Sequence, residues 1–239
     1  MTAGLVNGSE TGTSDFLEVL RTLAHKLSQP LTSLRGSIEV ALMGEPDEAE
    51  FRQVLTLSLH ESQRLADTLE ILRDALDVEG PVKGRHRVSW TQCVEQLLGE
   101  VELVGRNSPP QLGSNVKSGI LVMASPQHLN VATRRLINAA VEAARCNCKV
   151  CIELSAAQDA ACLSIFEESP LLSAESTGNF QTAFGPETPL LAEIDKWIVQ
   201  RAAERLGGRL ELRNVSETCH CYRLNLPLHV SDGLPDVRN

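Results

Sequence analysis

The stretch Leu23-Ala24-His25-Lys26-Leu27-Ser28-Gln29-Pro30-Leu31-Thr32 concentrates more chemistry than any other in the chain. Phe16, Leu20, Leu23, Leu27, Leu31, Leu34 and Ile38 recur at helical intervals and draw one narrow apolar stripe. At about 100° per residue, His25 points about 160° away from the centre of that stripe. Gln29 and Thr32 share its outward face, and Arg21 lies one turn before. An exposed neutral imidazole carries a nucleophilic lone pair near physiological pH. Pro30 adds weight to this place. A proline inside a helix forfeits the bond to the Lys26 carbonyl and kinks the helix, at a cost of about 3 kcal/mol. A distortion one turn from an exposed histidine marks a site where function overrides local preference.

The remaining reactive side chains carry less. His60 falls among polar neighbours of a second helix, His86 in a linker, His128 near a helix start, His220 in a strand and His229 near a polar tail. None has a carboxylate at a useful helical spacing. Seven cysteines include a Cys146/Cys148/Cys151 group and a Cys219/Cys221 group flanking His220. A zinc site would need those groups to meet in space. Packing explains them better: Cys151 and Cys162 sit in apolar runs, where a free thiol behaves as a small hydrophobe. No metal site is expected, and no G-x-S-x-G, H-E-x-x-H or P-loop is present.

Two regions with different patterning must position His25. Residues 15–79 are helical throughout, broken only at Gly44-Glu45-Pro46-Asp47, with Ser14 or Asp15 as the first cap. Phe51, Leu55, Leu65, Leu69, Leu72 and Leu76 carry the stripe of the second helix. Two long helices on a short turn are antiparallel neighbours. Their seam is too narrow for a self-sufficient domain, so a second copy is expected to complete a four-helix bundle as a homodimer. Beyond Gly80-Pro81 the pattern alternates: strand 87–90, helix 91–106, strand 116–123, helix 126–145, and a hairpin 149–155 and 161–166. An irregular stretch 167–189 follows, then helix 190–206 stopped by Gly207-Gly208, then strands 209–214 and 220–228. This order predicts an α+β chain whose second part is an α/β sandwich, a mixed sheet with helices on one face. The divisions are a disordered segment 1–13, a hairpin 14–80, a linker 81–87, a second domain 88–229 and a polar tail 230–239.

Composition excludes several classes. Lys+Arg 22 against Asp+Glu 31 gives a net charge of −9, the wrong sign for an electrostatic nucleic-acid binder. No apolar run reaches the roughly 18 residues of a membrane span. The polar start MTAGLVNGSETGTSD reads as the lead-in to a cytoplasmic protein. With aromatics at 3%, the core must be built from Leu, Val, Ile and Ala.

The peptide His25-Lys26-Leu27-Ser28-Gln29-Pro30-Leu31-Thr32-Ser33-Leu34-Arg35-Gly36 resembles the H-box of sensor histidine kinases. The order of a hairpin followed by a GHKL-type domain is similar to that family as well. The resemblance implies that His25 is a phosphoacceptor. The family's Glu or Asp after the histidine is replaced here by Lys26, which neither deprotonates nor orients an imidazole but is able to pair with a phosphate. The implied ATP site departs further. Ala139 falls where the family's Mg-holding Asn stands, with Asn138 about 100° away on the helix. The D-x-G-x-G position reads Glu167-Glu168-Ser169-Pro170-Leu171, and the glycine-rich lid reads Leu190-Leu191-Ala192-Glu193-Ile194-Asp195-Lys196. Side chains in place of glycine obstruct backbone approach to phosphate, and Glu193 and Asp195 add repulsion.

The resemblance therefore points to a bacterial two-component phosphorelay protein similar to kinase-shaped histidine phosphotransferases. His25 would exchange a phosphoryl group with a response-regulator receiver aspartate. Lys26 and Gln29 complete the expected site. No cofactor is expected of the chain itself, since the receiver supplies Mg²⁺. An upstream histidine kinase is a further candidate partner, and neither nucleic acid nor membrane is expected. The alternatives are an active kinase with a divergent site built from Glu167, Asn138 and Lys196, and a pseudokinase regulator that carries no phosphate.

Overall fold

A computed structural model describes residues 9–44, 47–82, 84–104, 112–145, 149–157, 159–168, 193–215 and 219–228. The chain divides into two compact units, residues 1–76 and 77–239.

The first unit is a helical hairpin of α1 (Ser9–Met43) and most of α2 (Glu48–Glu79). Helix α1 begins at Ser9, upstream of the expected cap at Ser14 or Asp15. Residues 9–13 of the segment expected to be disordered belong to this helix, and 1–8 lie outside the described residues. Pro30 sits inside α1 without ending it, and its ring is buried. Helix α2 is opened by a reciprocal capping box. The Glu50 amide donates to Asp47 Oδ1 at 2.8 Å, and the Asp47 amide donates to Glu50 Oε2 at 3.1 Å.

The apolar stripe read from the sequence divides in two. Leu23 is buried, together with Val19 outside that stripe, whereas Leu31, Ile38, Phe51, Leu55, Leu69 and Leu76 remain exposed in the single chain. The spacing explains the split. Leu17, Ala24, Leu31 and Ile38 recur every seven residues, and Leu55, Leu69 and Leu76 keep the same register with Ser62 at the skipped position. Such a repeat holds one face along a coiled-coil seam, a different face from the one that packs the hairpin.

The second unit is a layer of helices on a mixed sheet. Strand β1 (His86–Ser89) leads into α3 (Trp90–Val104), and β2 (Leu112–Val116) and β3 (Leu121–Ala124) precede α4 (Pro126–Arg145). Strands β4 (Lys149–Ala157) and β5 (Ala160–Glu168) form the expected hairpin, and α5 (Glu193–Arg205) precedes β6 (Arg209–Asn214) and β7 (Cys219–Pro227). The main sheet runs β2-β4-β5-β7-β6, with β2 and β4 parallel and the other pairs antiparallel. The single strand expected over 116–123 is in fact the end of β2 and the start of β3, which lie in different sheets. Gly119, at φ 76°, turns the chain between them. The linker expected over 81–87 already contains the start of β1.

Register puts one apolar ladder across the main sheet: Ile152 opposite Ile165 and Tyr222, Leu154 opposite Leu163 and Leu224, and Ala161 opposite Leu226. These residues are buried, and α4 and α5 pack on the sheet. Alternate residues on the strands, Cys151, Glu153, Cys162, Arg223 and Arg213, fall on the other face. The expectation that Cys151 and Cys162 are core hydrophobes is thereby corrected. Cys151 is exposed and Cys162 half-buried, with its sulfur 3.3 Å from Ser164 Oγ, because both sit on the pleat opposite the apolar ladder.

Two close approaches fix the end of α5. The Gly208 amide donates to the Ala203 carbonyl at 2.8 Å, closing a Schellman turn around Gly207 at φ 80°. A Cβ on Gly208 would collide with the Asn225 carbonyl. The guanidinium groups of Arg201 and Arg205 meet the Glu79 carboxylate at 2.6 and 3.0 Å, a cluster within the second unit.

Candidate functional site

His25 is exposed on α1, as its angle from the apolar stripe requires. The Gln29 amide nitrogen lies 3.3 Å from His25 Nε2, one helical turn away. In this orientation the amide N–H donates into the Nε2 lone pair and the ring proton sits on Nδ1. Gln29 thus favours the tautomer whose Nε2 carries the lone pair. A bond of that length between exposed groups is weak, worth about 0.5–1.5 kcal/mol, so releasing it is easy.

An open groove of about 630 Å³ runs beside the ring, lined by His25, Ser28, Gln29, Thr32 and Ser33 of α1 and by Glu61 and Arg64 of α2. Two of the three α1 hydroxyls that line it are committed locally: Ser28 Oγ donates to the Ala24 carbonyl and Thr32 Oγ1 to the Ser28 carbonyl, each at 2.9 Å. Glu61 is buried, and Arg64 Nη1 donates to its two carboxylate oxygens at 3.3 and 3.2 Å. Lys26 is exposed on α1 but is not among the residues lining the groove.

The structure therefore brings His25 and Gln29 together and leaves Lys26 to one side. Glu61 and Arg64 were missed by sequence reading. No signal within one helix reports which residues of a second helix it faces. His60, read as a solvated histidine, is exposed, with Nδ1 3.9 Å from Glu61 Oε1.

The residues expected around a nucleotide are dispersed in character. Asn138 is exposed on α4, Ala139 half-buried, and Lys196 exposed on α5. Glu167 is buried on β5, in register with Val150 and His220. Arg135 of α4 pairs with Asp195 of α5 at 3.3 Å. Glu193 and Asp195 occupy the first turn of α5, where acidic side chains complement the helix dipole. Residues 169–192, with the rest of both expected glycine positions, lie outside the described residues.

His128, near the start of α4, is buried, with Nδ1 3.0 Å from Ser125 Oγ. Burial pushes its pKa below the usual imidazole value; a Val78 backbone contact and Asp77 oppose that shift, while Arg205 and Arg85 reinforce it. Burial likewise raises the Cys93 thiol and makes it a poor nucleophile. Among the described residues no group of three or more His, Cys, Asp or Glu is placed to hold a metal ion, and no helix is long and apolar enough to cross a membrane. The Cys146 and Cys148 side chains lie outside the described residues.

Comparison with known proteins bears on the hairpin and on the fold. Residues 17–79 match the His Kinase A (phospho-acceptor) domain. The structure is similar to the Acinetobacter baumannii histidine kinase AdeS, with a TM-score of 0.59 at 18% identity over 86% of this chain and 98% of that one. It is also similar to the histidine kinase ThkA, solved in complex with the response regulator protein TrrA, with a TM-score of 0.65 at 16% identity over 91% of this chain and 63% of that one. No curated protein matches the sequence.

Proposed function

We propose that this chain, whose hairpin belongs to the His Kinase A (phospho-acceptor) domain family and whose fold is that of sensor histidine kinases, works as a phosphorelay intermediate. His25 takes a phosphoryl group from a receiver aspartate and returns it to one. The observation that carries the reading is an exposed His25, with the Gln29 amide 3.3 Å from its Nε2, on a hairpin that matches the phospho-acceptor domain.

The chemistry asks little beyond this. The Nε2 lone pair bonds to phosphorus as the bond from phosphorus to the aspartyl oxygen breaks, the carboxylate leaves, and the Nδ1 proton passes to solvent. The receiver brings the Mg²⁺ and the acidic pocket. That a kinase of this fold is known in complex with a response regulator supports the class of partner.

The second unit acts as a docking and dimer-supporting body rather than as an ATPase. Three features support this: Ala139 where a metal-holding Asn is expected, an Arg135–Asp195 ion pair between α4 and α5, and carboxylates at the start of α5 where a triphosphate would meet repulsion. The exposed apolar stripe at Leu31, Ile38, Leu55, Leu69 and Leu76 supports a homodimer, since a second hairpin would cover it in a four-helix bundle.

The test is incubation with phosphorylated receiver domains and, separately, with γ-labelled ATP. Acid-labile label on His25 from a receiver but not from ATP is expected. Label from ATP alone would make the chain a kinase, and label from neither would make it a regulator.

A further inference from the structure

The groove beside His25 contains one cation among the residues that line it, and it comes from the other helix. Arg64 is 52% exposed, while the Glu61 carboxylate that holds its Nη1 is only 7% exposed. The guanidinium is thus anchored at one nitrogen on a buried acid and keeps an open side toward solvent. Gln29 is engaged with the ring, the Ser28 and Thr32 hydroxyls donate to backbone carbonyls, Ser33 brings only a neutral hydroxyl, and Lys26 does not line the groove.

A phosphoryl group on His25 brings about −1.5 to −2 charges and three acceptor oxygens. It would arrive beside a buried carboxylate. We propose that Arg64 binds the phosphoryl group on His25 Nε2 and that Glu61 is the positioning residue that aims its guanidinium, an inference that rests on His25 being a phosphoacceptor. The planar guanidinium meets two phosphoryl oxygens at once, a geometry that a lysine ammonium does not reproduce. It stays charged throughout and moves no proton. It also screens the incoming anion from Glu61. The cation that serves the phosphate therefore sits on α2, across the groove, and not at Lys26 next to the histidine.

Phosphoramidate tests this on the full chain without any receiver. Nε2 bonds to phosphorus, the phosphorus–nitrogen bond of the reagent breaks, and ammonia leaves. Phosphorylation is followed by ³¹P NMR, with His25→Ala defining the signal from other histidines and melting curves confirming that each variant folds. Arg64→Ala should slow His25 phosphorylation by about 10- to 100-fold and move the ³¹P resonance, since a charge-assisted bond to the phosphoryl is lost. Arg64→Lys should recover part of the rate. Adding Glu61→Gln to Arg64→Ala should also recover part of it, by removing the uncovered charge. Lys26→Ala should stay within about twofold of wild type, as expected of an exposed residue outside the groove.

An unchanged rate and resonance in Arg64→Ala, or an equal loss in Lys26→Ala, would overturn the proposal. So would a wild type whose His25 takes no phosphoryl group from the reagent. Dependence on Arg64 with phosphoramidate, but no exchange with any phosphorylated receiver, would leave the Arg64 assignment standing and refute the relay. Exchange with receivers that is equal in wild type and Arg64→Ala would do the reverse.

Discussion

Leu31→Ala separates the two faces of the hairpin. In the single chain Leu31 is 53% exposed, whereas Leu23, eight residues earlier, is fully buried. If nothing covers Leu31, the substitution should change stability by no more than about 0.5 kcal/mol. If a second hairpin covers it, the remaining half of a leucine burial is at stake. Complete burial of a leucine is worth about 1.5–3 kcal/mol, so that half is about 1 kcal/mol. A two-fold dimer contains the residue twice, which makes about 2 kcal/mol and weakens association by about 30-fold. Sedimentation equilibrium across a range of concentrations reads this directly, and the melting temperature should become concentration-dependent. Leu23→Ala should behave differently, destabilising the hairpin by about 2–5 kcal/mol at every concentration because its cavity lies within one chain. A dissociation constant that Leu31→Ala leaves unchanged, or a wild type that sediments as a monomer, would refute the assignment of the exposed stripe to a homodimer.

Three further outcomes follow from other parts of the molecule. His128 has a folded pKa below its unfolded value near 6.5, so the unfolded chain binds the extra proton first. Stability should therefore be complete above about pH 6.5 and fall as pH drops below it, by up to about 1.4 kcal/mol per unit, with the slope reduced in His128→Gln when chemical denaturation is compared across pH. Calorimetry with millimolar Mg-ATP should show no saturable heat; a micromolar dissociation constant would contradict the reading of the second unit. Gln29→Ala removes the amide that occupies His25 Nε2, so phosphoryl transfer should change by only a few fold, about the worth of one weak hydrogen bond, and a loss comparable to that of His25→Ala would show that Gln29 does more than select a tautomer.

How far the sequence foretold this structure depends on whether the signal was local. Helix α4 has its expected bounds because Ser125 and Pro126 form a ready start and its apolar period is strong. The β4–β5 hairpin was legible from two apolar runs around an Asp-containing turn. The misreading of 116–123 came from treating Gly119 as part of a strand, although a Ser-Gly pair at that place is a turn signal. Cys151 and Cys162 were assigned to the core because their neighbours are apolar. In a strand with one buried face, the pleat, and not the neighbourhood, decides. At the candidate site His25 was visible from its angle on one helix and from Pro30. Arg64 and Glu61 were not, because their nearness to His25 is set by how two helices pack, which the periodicity of neither one records.

The central claim is that His25 is the atom-bearing acceptor of the relay. Its side chain is exposed, so His25→Ala should keep its stability within about 0.5 kcal/mol of wild type and keep its oligomeric state. Phosphorylated receiver domain, incubated with each protein, should transfer acid-labile label to wild type and none to His25→Ala. Equal transfer to both would contradict the account.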